Sequence, residues 1–133
     1  MQRNFATLVV AEQLDGHLNS NLGSMLKAAS ELNDQHVDVF VHGDSASCDS
    51  QVAEVQKYPG IKSIMVSKHD DLSKPYGDAL SHTLKALVQS KSYDKVIGPA
   101  SAFGKDVVPR LGGLLDVQPI TDVIQVLEGG AKF

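Results

Sequence analysis

At 133 residues, 42% of them hydrophobic and 21% charged, the chain is long enough to bury one ordinary core and too apolar for disorder to be its default state. A formal charge of -4 gives no broad attraction to nucleic acid or to an anionic membrane surface, and a single cysteine, Cys48, rules out a disulfide framework within the chain. No apolar run reaches the roughly 20 residues that span a bilayer, and the opening MQRNFATLVVAE lacks the cleavage pattern of a signal peptide. In chain order, the continuous apolar run at 5–12 predicts a buried strand. Leu22, Met25, Leu26, Ala29 and Leu32 recur at helical spacing and predict a helix over 20–34. HVDVFVHG, 36–43, alternates and predicts a second strand, followed by a short helix at 46–57 that Tyr58, Pro59 and Gly60 terminate. A third strand is expected at 61–67 and a longer helix at 75–91, with Ser73 as N-cap and Pro75 in the first turn. The remaining expectations are a fourth strand at 93–101, a helical stretch to Leu115 and a fifth strand at 119–127.

Strand centres near 8, 39, 64, 96 and 123 repeat about every 30 residues, the length of a βα unit. The fold class expected is therefore α/β: a three-layer, mostly parallel sheet with helices on both faces. No linker or low-complexity segment divides the chain, so residues 1–128 read as one domain. Gly129 and Gly130 read as the start of a linker, 129–133, to further protein.

In such sheets ligands bind at the carboxyl ends of the strands, here the turns 11–21, 42–47, 67–74 and 98–106. The first turn holds one glycine, Gly16, where a dinucleotide fingerprint needs three, and FGKDV lacks the upstream glycine and the hydroxyl of a P-loop. His17, His36, His42, His69 and His82 have no zinc-site spacing, and G-x-S-x-G is absent. His42 and His69 fall near strand ends, where a base could sit, but both read as polar loop residues. Asp70 and Asp71 read as solvated, and Cys48, with Asp44 and Asp49 nearby, as an unreactive thiol. The stretch 101–110 leaves two readings open: an anion-binding nest at a helix N-terminus with Lys105 and Arg110, or a structural turn with a contact surface. Pro109 also leaves two: a helix that starts near Asp106 with the proline in its first turn, or one that starts earlier and bends at Pro109.

SAFGKDVVPRLGGLLDVQPITDV, 101–123, resembles the signature of the electron-transfer flavoprotein alpha subunit in its N-terminal domain. TLVVAEQLDGHLNSNLGSMLKAASEL is similar to that family's first strand, loop and helix, and YPGIKSIMVSKHD to its third strand. The resemblance covers essentially the whole chain, in order. It implies a Rossmann-like layer related to adenine-nucleotide-hydrolase-like domains, followed in the full subunit by a flavin-binding domain absent from this chain. It implies a heterodimer with a beta subunit that carries one FAD and one AMP, the AMP on the beta subunit. That dimer is an electron carrier rather than an enzyme: it takes electrons from acyl-CoA and other flavin dehydrogenases and passes them to a quinone oxidoreductase. The compartment implied is the mitochondrial matrix, or the cytoplasm in bacteria. No catalytic, metal or cofactor ligand is carried over to this chain. The motif positions Ser101, Phe103, Gly104, Lys105, Arg110, Pro119 and Asp122 are expected to serve turn geometry, pairing such as Arg110 with Asp122, or contact with the partner. The competing expectations are a free-standing adenine-nucleotide-binding module and a small hydrolase that uses a loop histidine.

Overall fold

Four of the five residues of β1 (Ala6–Val10) are buried, because the strand has a neighbour on each side and a helical layer on each face. The computed structural model describes residues 6–14, 17–31, 36–68, 77–91, 93, 95–99, 101–116, 125–127 and 130–132. Ten-residue α1 (Leu22–Glu31) follows β1, after a two-stranded antiparallel hairpin of β2 (Gln13–Leu14) and β3 (His17–Leu18). β4 (His36–Gly43) leads to α2 (Ser45–Val55), β5 (Ser63–Lys68) to α3 (Gly77–Lys91), and β6 (Lys95–Ile97) to α4 (Ala102–Leu115).

The four long-range strands pair in parallel in the order β5-β4-β1-β6. β1 is thus the point where the winding reverses: the chain steps outward through β4 to β5, then returns over the sheet to place β6 on β1's other side. Alternate residues face opposite layers, as the pleat requires. Leu8, Val10 and Phe40 pack with Leu80, Leu84, Val107 and Leu111 of α3 and α4. Val9, Ala11, Val37, Val39 and Val41 pack with Leu22, Met25, Ala29 and Val55 of α1 and α2. The expected three-layer α/β architecture is the one observed.

The differences are local. β6 stops at Ile97, short of the predicted 101, where Gly98 and Pro99 follow and Pro99 has no N–H for a ladder. α4 begins at Ala102 and holds Pro109 inside it, which decides between the two readings of that stretch. Of the predicted fifth strand, 125–127 is β7 (Gln125–Leu127), paired antiparallel with β8 (Gly130–Lys132) in a separate ribbon, and 119–124 lies outside the described residues. Two residues separate β7 from β8, a spacing that permits only an antiparallel pair. Residues 130–132, in the stretch read as linker, are thus strand. The predicted cap Ser73 and Pro75 also lie outside the described residues.

Candidate functional site

In a doubly wound sheet the ligand crevice opens at the carboxyl ends of the strands on either side of the reversal, here β1 and β6. β1 leaves through Ala11, whose N–H donates to the Phe40 carbonyl at 3.0 Å, and then Glu12. The Glu12 carbonyl accepts from the Asn19 N–H at 2.9 Å. Its carboxylate Oε2 accepts from Asn21 Nδ2 at 3.2 Å and from Asn19 Nδ2 at 3.4 Å. Asn21 is the residue before α1, and its carbonyl takes the helix's Met25 N–H at 3.1 Å. The hairpin is held from its other side by Glu54 of α2, which accepts from the Leu18 N–H at 3.2 Å and lies 3.6 Å from His17 Nδ1. Gln13 of β2 is itself buried and accepts from Ser47 Oγ at 3.4 Å.

The end of β4 is equally closed. Gly43 has φ +139, and a Cβ there would lie 2.9 Å from Ser47 Oγ, so only glycine fits. Asp44 caps α2 by accepting from the Ser47 N–H at 2.7 Å. Fully buried Gln51 donates to the His42 carbonyl at 2.7 Å and to Ser47 Oγ at 3.0 Å, and so meets a polar group that β1, having turned away, no longer reaches. Cys48 is buried with its sulfur 3.5 Å from the Gly43 carbonyl, as its unreactive reading required. Burial pushes its thiol pKa up; Lys68 pulls it back, and Asp44 and Asp49 push it further. His42, expected in a loop, is instead inside β4, fully buried and stacked on Phe40 with ring centroids 5.8 Å apart. The strand's burial runs through Gly43, two residues further than the alternation of valines suggests.

On the β6 side, the Ser101 carbonyl accepts the Lys105 N–H at 2.8 Å and so starts α4. Phe103 and Gly104 fall in its first turn, and Lys105, Asp106, Pro109, Arg110 and Gly113 are exposed. Arg110 Nε donates to Asp106 Oδ1 at 2.8 Å. Gly98 brings the strand end against the helix: a Cβ on it would meet Val108 Cγ2 at 2.5 Å. The structure thus gathers Ser101, Phe103, Gly104 and Lys105 beside the reversal point and sets Arg110 further along the outer surface of α4, while Pro119 and Asp122 lie outside the described residues.

These groups do not form an acid–base constellation. The most polar buried cluster sits at the opposite edge of the sheet, where Asp38 accepts from Tyr93 Oη at 2.5 Å and meets His36 Nε2 at 2.9 Å. Burial, reinforced by the Asp38 hydrogen bond, raises the Tyr93 pKa. An open depression of about 480 Å³, lined by Leu26, Lys27, Val37, Tyr58 and Pro59 among others, lies near the start of β4 and away from the crevice. Among the described residues no cluster of His, Cys, Asp and Glu could hold a metal ion, and no described helix is long and apolar enough to cross a membrane. The sequence reading missed the β2–β3 hairpin, although Asp15 and Gly16 between two short segments are a hairpin signal. It also missed Glu12, Asp44 and Gln51, whose roles depend on that hairpin and on the strand ends.

A four-stranded parallel layer with helices on both faces and its winding reversed at the first strand defines a doubly wound, Rossmann-like α/β domain. The sequence profile described as the electron transfer flavoprotein domain matches residues 7–132, and the chain belongs to that family. It is 26% identical to the electron transfer flavoprotein subunit alpha, mitochondrial, of Arabidopsis thaliana, over all of this chain and 37% of that protein. It is 28% identical to the subunit of the same name from Oryza sativa subsp. indica, over 96% of this chain and 37% of that protein. A probable alpha subunit, mitochondrial, from Caenorhabditis elegans is 33% identical over 91% of this chain and 36% of its own length. The chain therefore spans about a third of the length of the curated relatives it matches. At this edge Glu12 accepts from Asn21 just before α1, and Asp44 caps α2.

Proposed function

We propose that this chain is the supporting layer of an alpha subunit that pairs with a beta subunit in an electron-carrying flavoprotein. The assembled heterodimer would carry FAD on parts of the alpha subunit outside these 133 residues and AMP on the beta subunit. It would take electrons from acyl-CoA and other flavin dehydrogenases and deliver them to a quinone oxidoreductase in the mitochondrial matrix. In this reading residues 1–128 form the domain, the following residues lead toward the flavin domain, and the chain performs no turnover chemistry. The observation that carries it is the match to alpha subunits along essentially the whole chain. The candidate contact with the beta subunit is the start and outer surface of α4, with Ser101, Phe103, Gly104, Lys105 and Arg110, continued by Pro119 and Asp122.

Co-expression of a full-length alpha version with a beta-type subunit tests this. A yellow heterodimer with one flavin per pair is expected. In that dimer Arg110→Glu should weaken subunit association at least tenfold while changing the stability of the domain little, since the exposed Arg110–Asp106 pair contributes at most about 1 kcal/mol. A colourless monomer that binds ATP or AMP would overturn the proposal in favour of a free-standing nucleotide module.

A further inference from the structure

Among the described residues β6 has the shortest ladder in the parallel sheet. It pairs with β1 at three positions, Thr7↔Lys95, Leu8↔Val96 and Val9↔Ile97, where β4 pairs with β1 at five and with β5 at six. A strand's register is ordinarily set by which of its faces is apolar, because a slip of one residue turns every side chain to the other face. β6 carries no such signal. Val96 packs against the layer of α3 and α4, Ile97 against the layer of α1 and α2, and both are apolar. Hydrophobic burial by itself accepts either register.

A directional contact stands just ahead of the strand. Tyr93 is buried in the core beneath α3 and α4, and its hydroxyl donates to Asp38 Oδ2 at 2.5 Å. Asp38 belongs to β4, on the far side of β1: it registers with Leu8, and Leu8 with Val96. The bond therefore links strands two spacings apart, about 10 Å in a sheet. The second oxygen of Asp38 lies 2.9 Å from His36 Nε2, so both carboxylate oxygens are engaged. A carboxylate buried among valines is costly unless it is hydrogen-bonded, and an apolar residue at that position would simply extend the core. The best-attested use of a buried polar contact is to fix registry.

We infer that Tyr93 and Asp38 form a register pin that sets β6 against β1 and, through β6, sets the position of α4. Apolar packing holds β6 and α4 down, and the hydrogen bond decides where along the sheet they sit. α4 follows β6 closely, since a Cβ on Gly98 would lie 2.5 Å from Val108 Cγ2. A slip of β6 by one residue, about 3.3 Å, would carry the start of that helix with it. Tyr93 and Asp38 are thus positioning residues for the surface that exposes Lys105 and Arg110. This goes beyond the proposed electron-carrier role and holds whether or not a beta subunit is what α4 meets.

The test is hydrogen exchange by mass spectrometry on the 133-residue chain, Tyr93→Phe and the double variant Tyr93→Phe with Asp38→Val. Peptides covering 95–115 report β6 and α4, peptides covering 36–55 report β4 and α2, and urea unfolding reports overall stability. Tyr93→Phe should lower the urea midpoint and speed exchange over 95–115 at least tenfold, by a larger factor than over 36–55. The double variant removes both polar partners, so its midpoint should return toward that of the parent, while exchange over 95–115 stays fast. That separation marks a pin rather than a merely stabilising bond. An equal factor in the two segments of Tyr93→Phe, or parent-like exchange over 95–115 in the double variant, would overturn the inference. If Tyr93→Phe does not fold, the double variant decides by the same comparison.

Discussion

Gly98 is the position where a single added carbon tests the packing of the layer. It ends β6 beneath α4, and an alanine Cβ there would sit 2.5 Å from Cγ2 of Val108. Carbon atoms pack best at about 3.5–4.0 Å, so the overlap is of the order of 1 Å. Val108 cannot swing away freely: a valine in a helix occupies one χ1 well about nine times in ten. The remaining escape is a shift of α4, which would disturb Val107 and Leu111, both buried against β1 and α3. Overpacking of this kind costs about 1–3 kcal/mol, which at this chain length is a fall in Tm of roughly 4–12 °C. Urea unfolding followed by circular dichroism should show a lower midpoint for Gly98→Ala with the denaturant slope unchanged. The double variant Gly98→Ala with Val108→Ala should recover about 1 kcal/mol or more relative to additivity, because removing the methyl groups removes the clash. A neutral Gly98→Ala, or strictly additive effects, would refute the close approach of strand and helix.

Two further substitutions probe other parts of the layer by the same denaturation measurement. Gly113 is exposed within α4, and a Cβ on it would meet nothing within 4 Å, so Gly113→Ala should stabilise the chain by about 0.5–1 kcal/mol; a loss of stability would mean the helix is not formed there. Tyr93→Phe removes the donor to buried Asp38 and should cost about 1–3 kcal/mol at neutral pH. The Tyr93 phenol is raised above its ordinary value by burial and by Asp38, so the unfolded chain ionises first as pH rises past about 10. The parent therefore loses this stabilisation above that pH and the variant has none to lose, so the gap between them should narrow there; a constant gap to pH 11 would contradict the hydrogen bond.

The layer itself was legible because its strands carry their burial in their composition. β1 and β4 are covered on both faces, and their apolar runs say so without any knowledge of the partners. α1 showed its spacing through Leu22, Met25, Leu26 and Ala29. What escaped was everything fixed by residues far apart in the chain. Asp38 stands between valines in the second predicted strand, and its partner Tyr93 lies 55 residues away. His42 looked like a loop residue because a histidine before a glycine ordinarily is one, while the sheet buries it through Phe40. Pro109 pulled the expected start of α4 in two directions, and packing of Val107 and Leu111 into the core carried the helix back to Ala102. Of the motif residues, the sequence left open whether Ser101 to Lys105 start the helix or precede it, and the structure starts α4 at Ala102. Sequence order gave no hint that the carboxylates of Glu12 and Asp44 would stand at the neighbouring helix starts.

Those carboxylates bear on how the strand ends of this layer are closed. A parallel layer wound in two directions leaves a crevice at its reversal point whatever its sequence, and exposed polar backbone at that edge must be met by something. A ligand is one solution. Here the chain supplies its own: the hairpin covers the exit of β1, Gln51 meets the His42 carbonyl, and Glu12 and Asp44 stand at the starts of α1 and α2. Among the described residues these contacts join the exits of β1 and β4 to the starts of α1 and α2. None of α1, α2 and α4 has an acidic residue in its own first turn, and on α4 Lys105, Pro109 and Arg110 are exposed. Contacts within the chain at the starts of α1 and α2, and exposed side chains along α4, are thus the two sides of the described carboxyl edge.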